Sequence, residues 1–295
     1  MSPTQPVVSV IIPTYNRAAW VGEAIASVLA QLYPALELIV VDDGSDDHTR
    51  EVVAAFGARL HYLRQPHAGV SAARNRGVAA SQGALLAFLD SDDLWLPGKV
   101  AAQVALFQAQ SEVQVCYTDE IWIRHGVRVN QRQVHQKPSG WMFEASLALC
   151  LISPSSIMLR RALWERLGGF DEGLPACEDY DLWLRMTLVA PVALLPERLI
   201  VKRGGHADQL SRSVPVLDQY RITALEKLLL APLSCLQRQR VLAQLLARCH
   251  IVAQGARKRH LEERWRTYQA KAEHYRQQLA SLPAGDMEPY ASPAV

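Results

Sequence analysis

Carboxylates are concentrated at one place in this 295-residue chain. Ala84 to Leu89 is an apolar run, and Asp90, Asp92 and Asp93 follow it at once, with only Ser91 between them. A short apolar run closed by acids reads as a buried strand whose C-terminal end opens at the surface. In open α/β sheets, ligands bind outside the carboxyl ends of the strands. Acids placed there suit a hard divalent cation, Mg2+ or Mn2+, which completes its shell with substrate phosphates and water. Three other polar segments follow apolar runs: Pro13-Thr14-Tyr15-Asn16-Arg17, Asp42-Asp43-Gly44-Ser45, and the loop leading into Ser71-Ala72-Ala73-Arg74. Tyr15 can face a base, and Asp43 can accept from a base N–H. Arg74 can pair with phosphate oxygens, and Asp90 and Asp92 can hold a metal that bridges them. Each residue alone has a plainer account. Asp42 to Ser45 can be a turn with a helix cap, Arg74 a solvated helix charge, and Asp90 to Asp92 a capped loop. Their joint spacing carries the reading of a metal and nucleoside-diphosphate site.

The elements that would position these residues alternate. Val7 to Ile12 is a strand expected to stop at Pro13, and Trp20 to Leu29 has helical spacing. Leu36 to Val41 is a second strand, with Asp46 the expected N-cap of a helix to about Phe56. Arg59 to Arg64, a helix from Val70 to Ala80, and Ala84 to Leu89 continue the alternation. Pro97 is expected in the first turn of a helix running to about Gln110, before a fifth strand from Val113 to Thr118. Strand and helix alternating at roughly 25–30 residue spacing predict a mostly parallel sheet sandwiched by helices. Beyond Glu120 the pattern becomes mixed: Ser155 to Leu159 and Arg198 to Lys202 read as strands, Arg161 to Leu167 and Glu178 to Val189 as helices. From Leu217 to about Ala280 the chain reads as helix with a break at Pro232, and residues 283–295 as a disordered tail.

Bulk properties exclude several classes. A net charge of +2 is too small to point to nucleic acid. Five scattered cysteines without a CxxC spacing argue against a disulfide framework or zinc site and predict a cytoplasmic protein. Met1 to Pro6 has no basic-then-apolar leader, and no stretch approaches the roughly 18–20 apolar residues of a membrane span.

Val8 to Asn16, Val40 to Ser45, Gly69 with Ala73-Arg74-Asn75 and Gly77, and Phe88 to Asp93 together resemble the inverting family 2 glycosyltransferases. That resemblance covers about residues 7–215 and implies a GT-A fold with a helical C-terminal extension. It divides the chain into a catalytic domain, 1–215, and an extension, 216–282; within the first, 1–120 is the nucleotide-sugar half and 121–215 the acceptor half. It implies that Asp43 contacts the base, usually uracil, with Thr14 and Tyr15. Asp90 and Asp92 match its DxD motif, with Asp92 the main metal ligand. The catalytic base falls on Asp179 of Glu178-Asp179-Tyr180-Asp181. Arg203, His206, Gln209 and Ser211 resemble a loop that closes over the donor diphosphate. The expected donor-binding set is therefore Pro13, Thr14, Tyr15, Asn16, Arg17, Asp43, Arg74, Asp90, Ser91 and His206, and the metal set Asp92, Asp90 and His206. Inverting transfer needs one base away from the metal and an electrophile at the leaving diphosphate, which matches that division of acids. The plainer account of Glu178 and Asp179 is acids complementing a helix N-terminus. Trp95, Trp141 and Trp183 are aromatic faces that can stack on a sugar or fill a core.

The expected activity is transfer of a sugar from a nucleotide-diphosphate donor, a UDP-sugar first, to a hydroxyl of a glycan or lipid-linked saccharide. Two alternatives remain: a non-catalytic nucleotide- or glycan-binding module, and a sugar nucleotidyltransferase. The second would need a Gly-rich loop after the first strand, which Pro13 to Arg17 is not. Arg257-Lys258-Arg259-His260, with Trp265 and Tyr268, leaves open a peripheral contact at the inner face of a membrane. The other reading is helices that pack on the catalytic domain or on a second copy as a homodimer.

Overall fold

The structure, a computed structural model, describes residues 5–206, 214 and 216–283. The first half is β1 (Val8–Thr14), α1 (Val21–Leu29), β2 (Leu36–Asp42), α2 (Thr49–Ala54), β3 (His61–Arg64), α3 (Val70–Ala79) and β4 (Leu85–Phe88). Then come β5 (Leu94–Trp95), α4 (Lys99–Ala109), β6 (Val115–Arg124), β7 (Val127–Val129), α5 (Phe143–Ala148), β8 (Ile157–Arg160), α6 (Arg161–Leu167) and α7 (Glu178–Val189). The chain continues with β9 (Ala193–Gly204), α8 (Leu217–Leu228), α9 (Cys235–Lys258) and α10 (Glu262–Ser281).

Among the described residues the strands form one sheet of order β3-β2-β1-β4-β8-β6-β9-β5, with β7 on β6. Strands β1 to β4 are parallel, as are β6 and β9, while β8 runs antiparallel between β4 and β6. The result is a mostly parallel α/β sheet in which the carboxyl ends of β1 to β4 share one edge. Alternation along β1 sets the two faces. Val8, Val10 and Ile12 point to a core shared with α1 and α4. Ile11 points to a core shared with α3, α6 and α7.

Several boundaries differ from expectation for local reasons. Strand β1 runs through Pro13 to Thr14. Ile11 O accepts from Leu89 N, so alternate residues of β1 bond towards β4, and β4 has ended by the level of Pro13. No ladder bond is therefore lost at the proline. Asp47, not Asp46, serves the start of α2: its Oδ1 accepts from Thr49 N and its Oδ2 from Ala18 N, both near 3 Å. Pro97 precedes the first turn of α4, and Gly98, at φ +86, is the N-cap. Besides the break around Pro232, the terminal helices break again near His260, which has φ +56 and joins α9 to α10.

A third core joins α8, α9 and α10 to α5 and α7, through Phe143, Leu147, Tyr180, Leu184, Leu225, Leu242 and Leu245 among others. Lys227 of α8 adds ion pairs to Asp171 and Asp181. The terminal helices thus pack directly on the helix that begins at Glu178. No helix among the described residues is long and apolar enough to cross a membrane.

Candidate active site

The parallel order β3-β2-β1-β4 brings the loops after these strands together, and side chains stitch each to the next. Asn16 N donates to Ser45 Oγ at 2.9 Å, and Asp46 N donates to Asn16 Oδ1 at 3.0 Å. Arg17 N donates to Thr49 Oγ1 at 2.9 Å. The Asp43 carboxylate is buried and accepts from Gln65 Nε2, Ala68 N and Gly69 N at 2.7, 2.9 and 2.8 Å. His67 Nδ1 lies 2.9 Å from Asp43 Oδ2. Asp43 thus fastens the loop after β3 to the loop after β2. Of these contacts, Gln65, His67 and Ala68 are residues the sequence reading did not single out. Tyr15 is 41% exposed and stacks on the His67 ring, with centroids 4.1 Å apart. Thr14 Oγ1 is buried without a hydrogen-bond partner among the described residues. A polar orphan of this kind beside an exposed aromatic ring marks a place for a polar, flat ligand.

At the next loop Arg74 is the brace. Its Nη2 donates to Asp90 Oδ1 and its Nη1 to Glu178 Oε1, both at 2.7 Å. The guanidinium lies over the Phe170 ring, 4.9 Å from its centroid. Burial opposes the charge, but Asp90 and Glu178 outweigh it and raise the Arg74 pKa. Both terminal nitrogens are therefore taken by carboxylates, and Arg74 connects the β4 loop to the N-terminus of α7. Asp93 is buried and accepts from Ser155 Oγ at 2.6 Å and Arg203 N at 2.9 Å. Burial, with Asp92 and Asp90 adding to it, pushes the Asp93 carboxyl well above the usual range. Asp93 is a structural tie between β4, β8 and β9.

Asp92 faces the end of β9. His206 Nε2 is 2.7 Å from Asp92 Oδ2. Burial, then the charge of Asp90, raises the Asp92 pKa. Arg203 donates to the Asp92 carbonyl and pairs with Glu23, and its guanidinium covers Trp20, as does the edge of His206. Gln209 and Ser211 lie outside the described residues. Lys202, also missed in sequence, is held strongly protonated: burial opposes its charge, but Glu120, Asp93 and Asp90 outweigh burial. A basic residue two positions before the strand end was the available signal.

The donor set fits a divalent cation. One carboxylate oxygen and one imidazole nitrogen converge at Asp92 and His206, and such a cation takes few protein ligands when phosphates supply the rest. Asp90 stands beside them, one of its oxygens committed to Arg74. No group of three or more potential metal ligands occurs among the described residues, so Asp90, Asp92 and His206 do not converge as one set of three.

The first turn of α7 separates its acids. Glu178 is buried against Arg74. Asp181 is buried and accepts from Arg185 at 2.8 Å, with Lys227 at 2.7 Å. Asp179 has no cation within ion-pair distance among the described residues; Cys150 Sγ lies 3.3 Å from its Oδ2, and Tyr180 N donates to its Oδ1. Burial and then Asp179 raise the Cys150 pKa, which keeps it a neutral thiol donor. Trp95 and Trp183 are core residues, with indole N–H groups donating to Ser155 O and Ile152 O. Trp141 is 41% exposed.

Solved structures share this fold. The S. aureus protein TarS 1-349 in complex with UDP-GlcNAc superposes with a TM-score of 0.68 at 18% identity, covering 92% of each chain. The mannosyltransferase PcManGT from Pyrobaculum calidifontis, in complex with GDP-Man and Mn2+, gives 0.61 at 19% identity, over 95% of this chain and 88% of that one. The fold is that of the GT-A glycosyltransferases. In sequence, the Escherichia coli UDP-Glc:alpha-D-GlcNAc-diphosphoundecaprenol beta-1,3-glucosyltransferase WfgD is 33% identical over 180 residues, 60% of this chain and 68% of that one. The family model described as Glycosyl transferase family 2 matches residues 9–167, from β1 to the end of α6 and more than half the chain. The chain therefore belongs to glycosyl transferase family 2, and the protein is a glycosyltransferase.

Proposed function

We propose that this glycosyltransferase is metal-dependent and inverting, and moves a sugar from a nucleoside-diphosphate donor, UDP first, to a hydroxyl of a glycan or lipid-linked saccharide. The observation that carries the reading is the contrast within one helical turn. Glu178 and Asp181 are neutralised by cations, while Asp179 has none within ion-pair distance among the described residues. A general base must be ionised and able to accept a proton. Arg74 spans from this turn to Asp90, so base and diphosphate end are held in one frame.

In this mechanism Tyr15 and His67 present a ring surface to the base, while Asp43 holds the loops around it. Asp92 and His206 would hold the metal, with Asp90 beside them. A bound divalent cation supplies Lewis-acid stabilisation of the departing diphosphate. Lys202 adds fixed positive charge nearby. The acceptor oxygen attacks the anomeric carbon from the side opposite the diphosphate, and Asp179 takes the hydroxyl proton. The bond from the anomeric carbon to the diphosphate oxygen breaks, and the diphosphate leaves with the electron pair, which inverts the centre. UDP-linked donors are supported by the WfgD name and by the UDP-GlcNAc complex of TarS; GDP-Man with PcManGT makes the base a point to be measured.

The test uses the full chain with a panel of nucleotide-sugars and reads released nucleotide. Asp179→Asn is expected to lower turnover by about 10²–10⁴-fold while leaving UDP affinity within about twofold. Full turnover in that variant would remove Asp179 from the role. Asp92→Ala is expected to abolish the dependence on added Mg2+ or Mn2+ together with turnover.

A further inference from the structure

A cavity of about 360 Å³ lies between Asp119 of β6, the segment after β7 and the first half of β9. That volume is at the lower end of small-ligand sites. Its charged lining is Arg132, Lys137 and Arg198 against the single carboxylate of Asp119, with Gln133 and Gln136 alongside. Arg132 has no ion-pair partner among the described residues, and Arg198 meets Asp119 through Nε alone, at 3.1 Å. Two guanidinium groups thus retain donor nitrogens in a shallow polar basin. Paired guanidinium donors favour carboxylate and phosphate oxygens over neutral hydroxyls.

The cavity is also tied to the proposed base. Lys137 is nearly buried; its Nζ donates to Leu151 O at 3.0 Å and lies 3.4 Å from Glu120 Oε2. Cys150, the neighbour of Leu151, is 3.3 Å from Asp179 Oδ2. Lys137, Leu151 and Cys150 thus link the cavity wall to the Asp179 carboxylate through consecutive contacts.

We propose that this cavity is an acceptor subsite for an anionic group, a phosphate, diphosphate or carboxylate, carried by the saccharide whose hydroxyl reaches Asp179. The inference rests on the glycosyltransferase reading of Asp179 only for where the hydroxyl goes. The anion preference is a property of the cavity itself.

Three probes test it by calorimetry on the full chain: a sugar diphosphate with a short alkyl tail, the matching uronic-acid glycoside, and the neutral methyl glycoside. Anionic probes are expected to bind about tenfold or more tightly than the neutral one, with the advantage shrinking as salt is raised. Arg132→Glu, an exposed change that breaks no ion pair among the described residues, and Arg132→Ala combined with Arg198→Ala are each expected to erase the advantage while UDP affinity stays unchanged. Whichever anionic probe binds more tightly identifies the group. Equal binding of neutral and anionic probes, or an advantage that survives both variants, overturns the proposal. UDP titrated alone reports separately on the donor site, so its failure to bind would count against the donor reading and not against the cavity.

Discussion

Arg74 holds two carboxylates at once, and its own side chain is only 3% exposed. Removing one partner of a buried charge pair leaves an uncompensated charge and costs about 3–5 kcal/mol. Arg74→Ala is therefore expected to lose stability on that order, read by urea unfolding at neutral pH. Adding Glu178→Gln should recover part of the loss, because the stranded charge is then gone; strictly additive losses would deny the coupling. At this scale the candidate site was only partly legible in sequence. Asp90 and Asp92 stood out because acids abut an apolar run, and Asp179 only through the family resemblance. The partners of Asp43, the Tyr15–His67 stack, the Cys150–Asp179 contact and Lys202 did not. Each joins residues more than 20 positions apart, or sits in a segment without periodicity, and only strand order brings them together.

Helix α4 carries a titration that the chemistry does not use. Lys99 is fully buried; its Nζ donates to Gln103 Oε1 at 2.7 Å and lies over Trp95, 4.0 Å from the ring centroid. Burial pulls its pKa down to about 7, with Cys116 opposing that shift weakly. An unfolded lysine titrates near 10.4. Between these values the unfolded chain binds more protons than the folded one, so this residue makes stability rise with pH from about 7 towards 10. Below about 7 the folded state bears the whole cost of a buried charge. Lys99→Met is expected to stabilise the fold most at and below neutral pH, with the gain over the unsubstituted protein shrinking as pH rises. A gain independent of pH in chemical denaturation would show that Lys99 is not titrating in the fold. Elements of this kind were easy to read where periodicity was clean: α6 and α7 lie at the expected residues. The two-residue β5 and the six-residue α5 were not foreseen, since runs so short carry no period and exist because β9 and α7 receive them.

Across the whole molecule, one sheet carries both the donor loops and the strands beneath the acceptor cavity, and the terminal helices brace α7 from behind. A chain ending at residue 216 would uncover Phe143, Leu147, Tyr180 and Leu184 and remove Lys227 from Asp181. Exposed apolar patches of this kind promote association. Truncation there is expected to lower Tm and produce aggregates in light scattering; a monomeric chain of unchanged Tm would show that the extension is dispensable to the fold. The segment from Cys150 to Ser153 has a further consequence. Cys150 reaches Asp179, Leu151 holds Lys137, Ile152 holds Trp183, and Ser153 holds Glu120. Four consecutive residues thus tie α7, β6 and the segment after β7 to one stretch of chain. A one-residue insertion among them would displace these contacts together, whereas residues 125–136, which include β7, lie outside the four contacts. Grafting residues 125–136 is therefore expected to change acceptor preference, provided the four-residue comb beneath them is left untouched; a graft that leaves acceptor preference unchanged would place the determinant elsewhere.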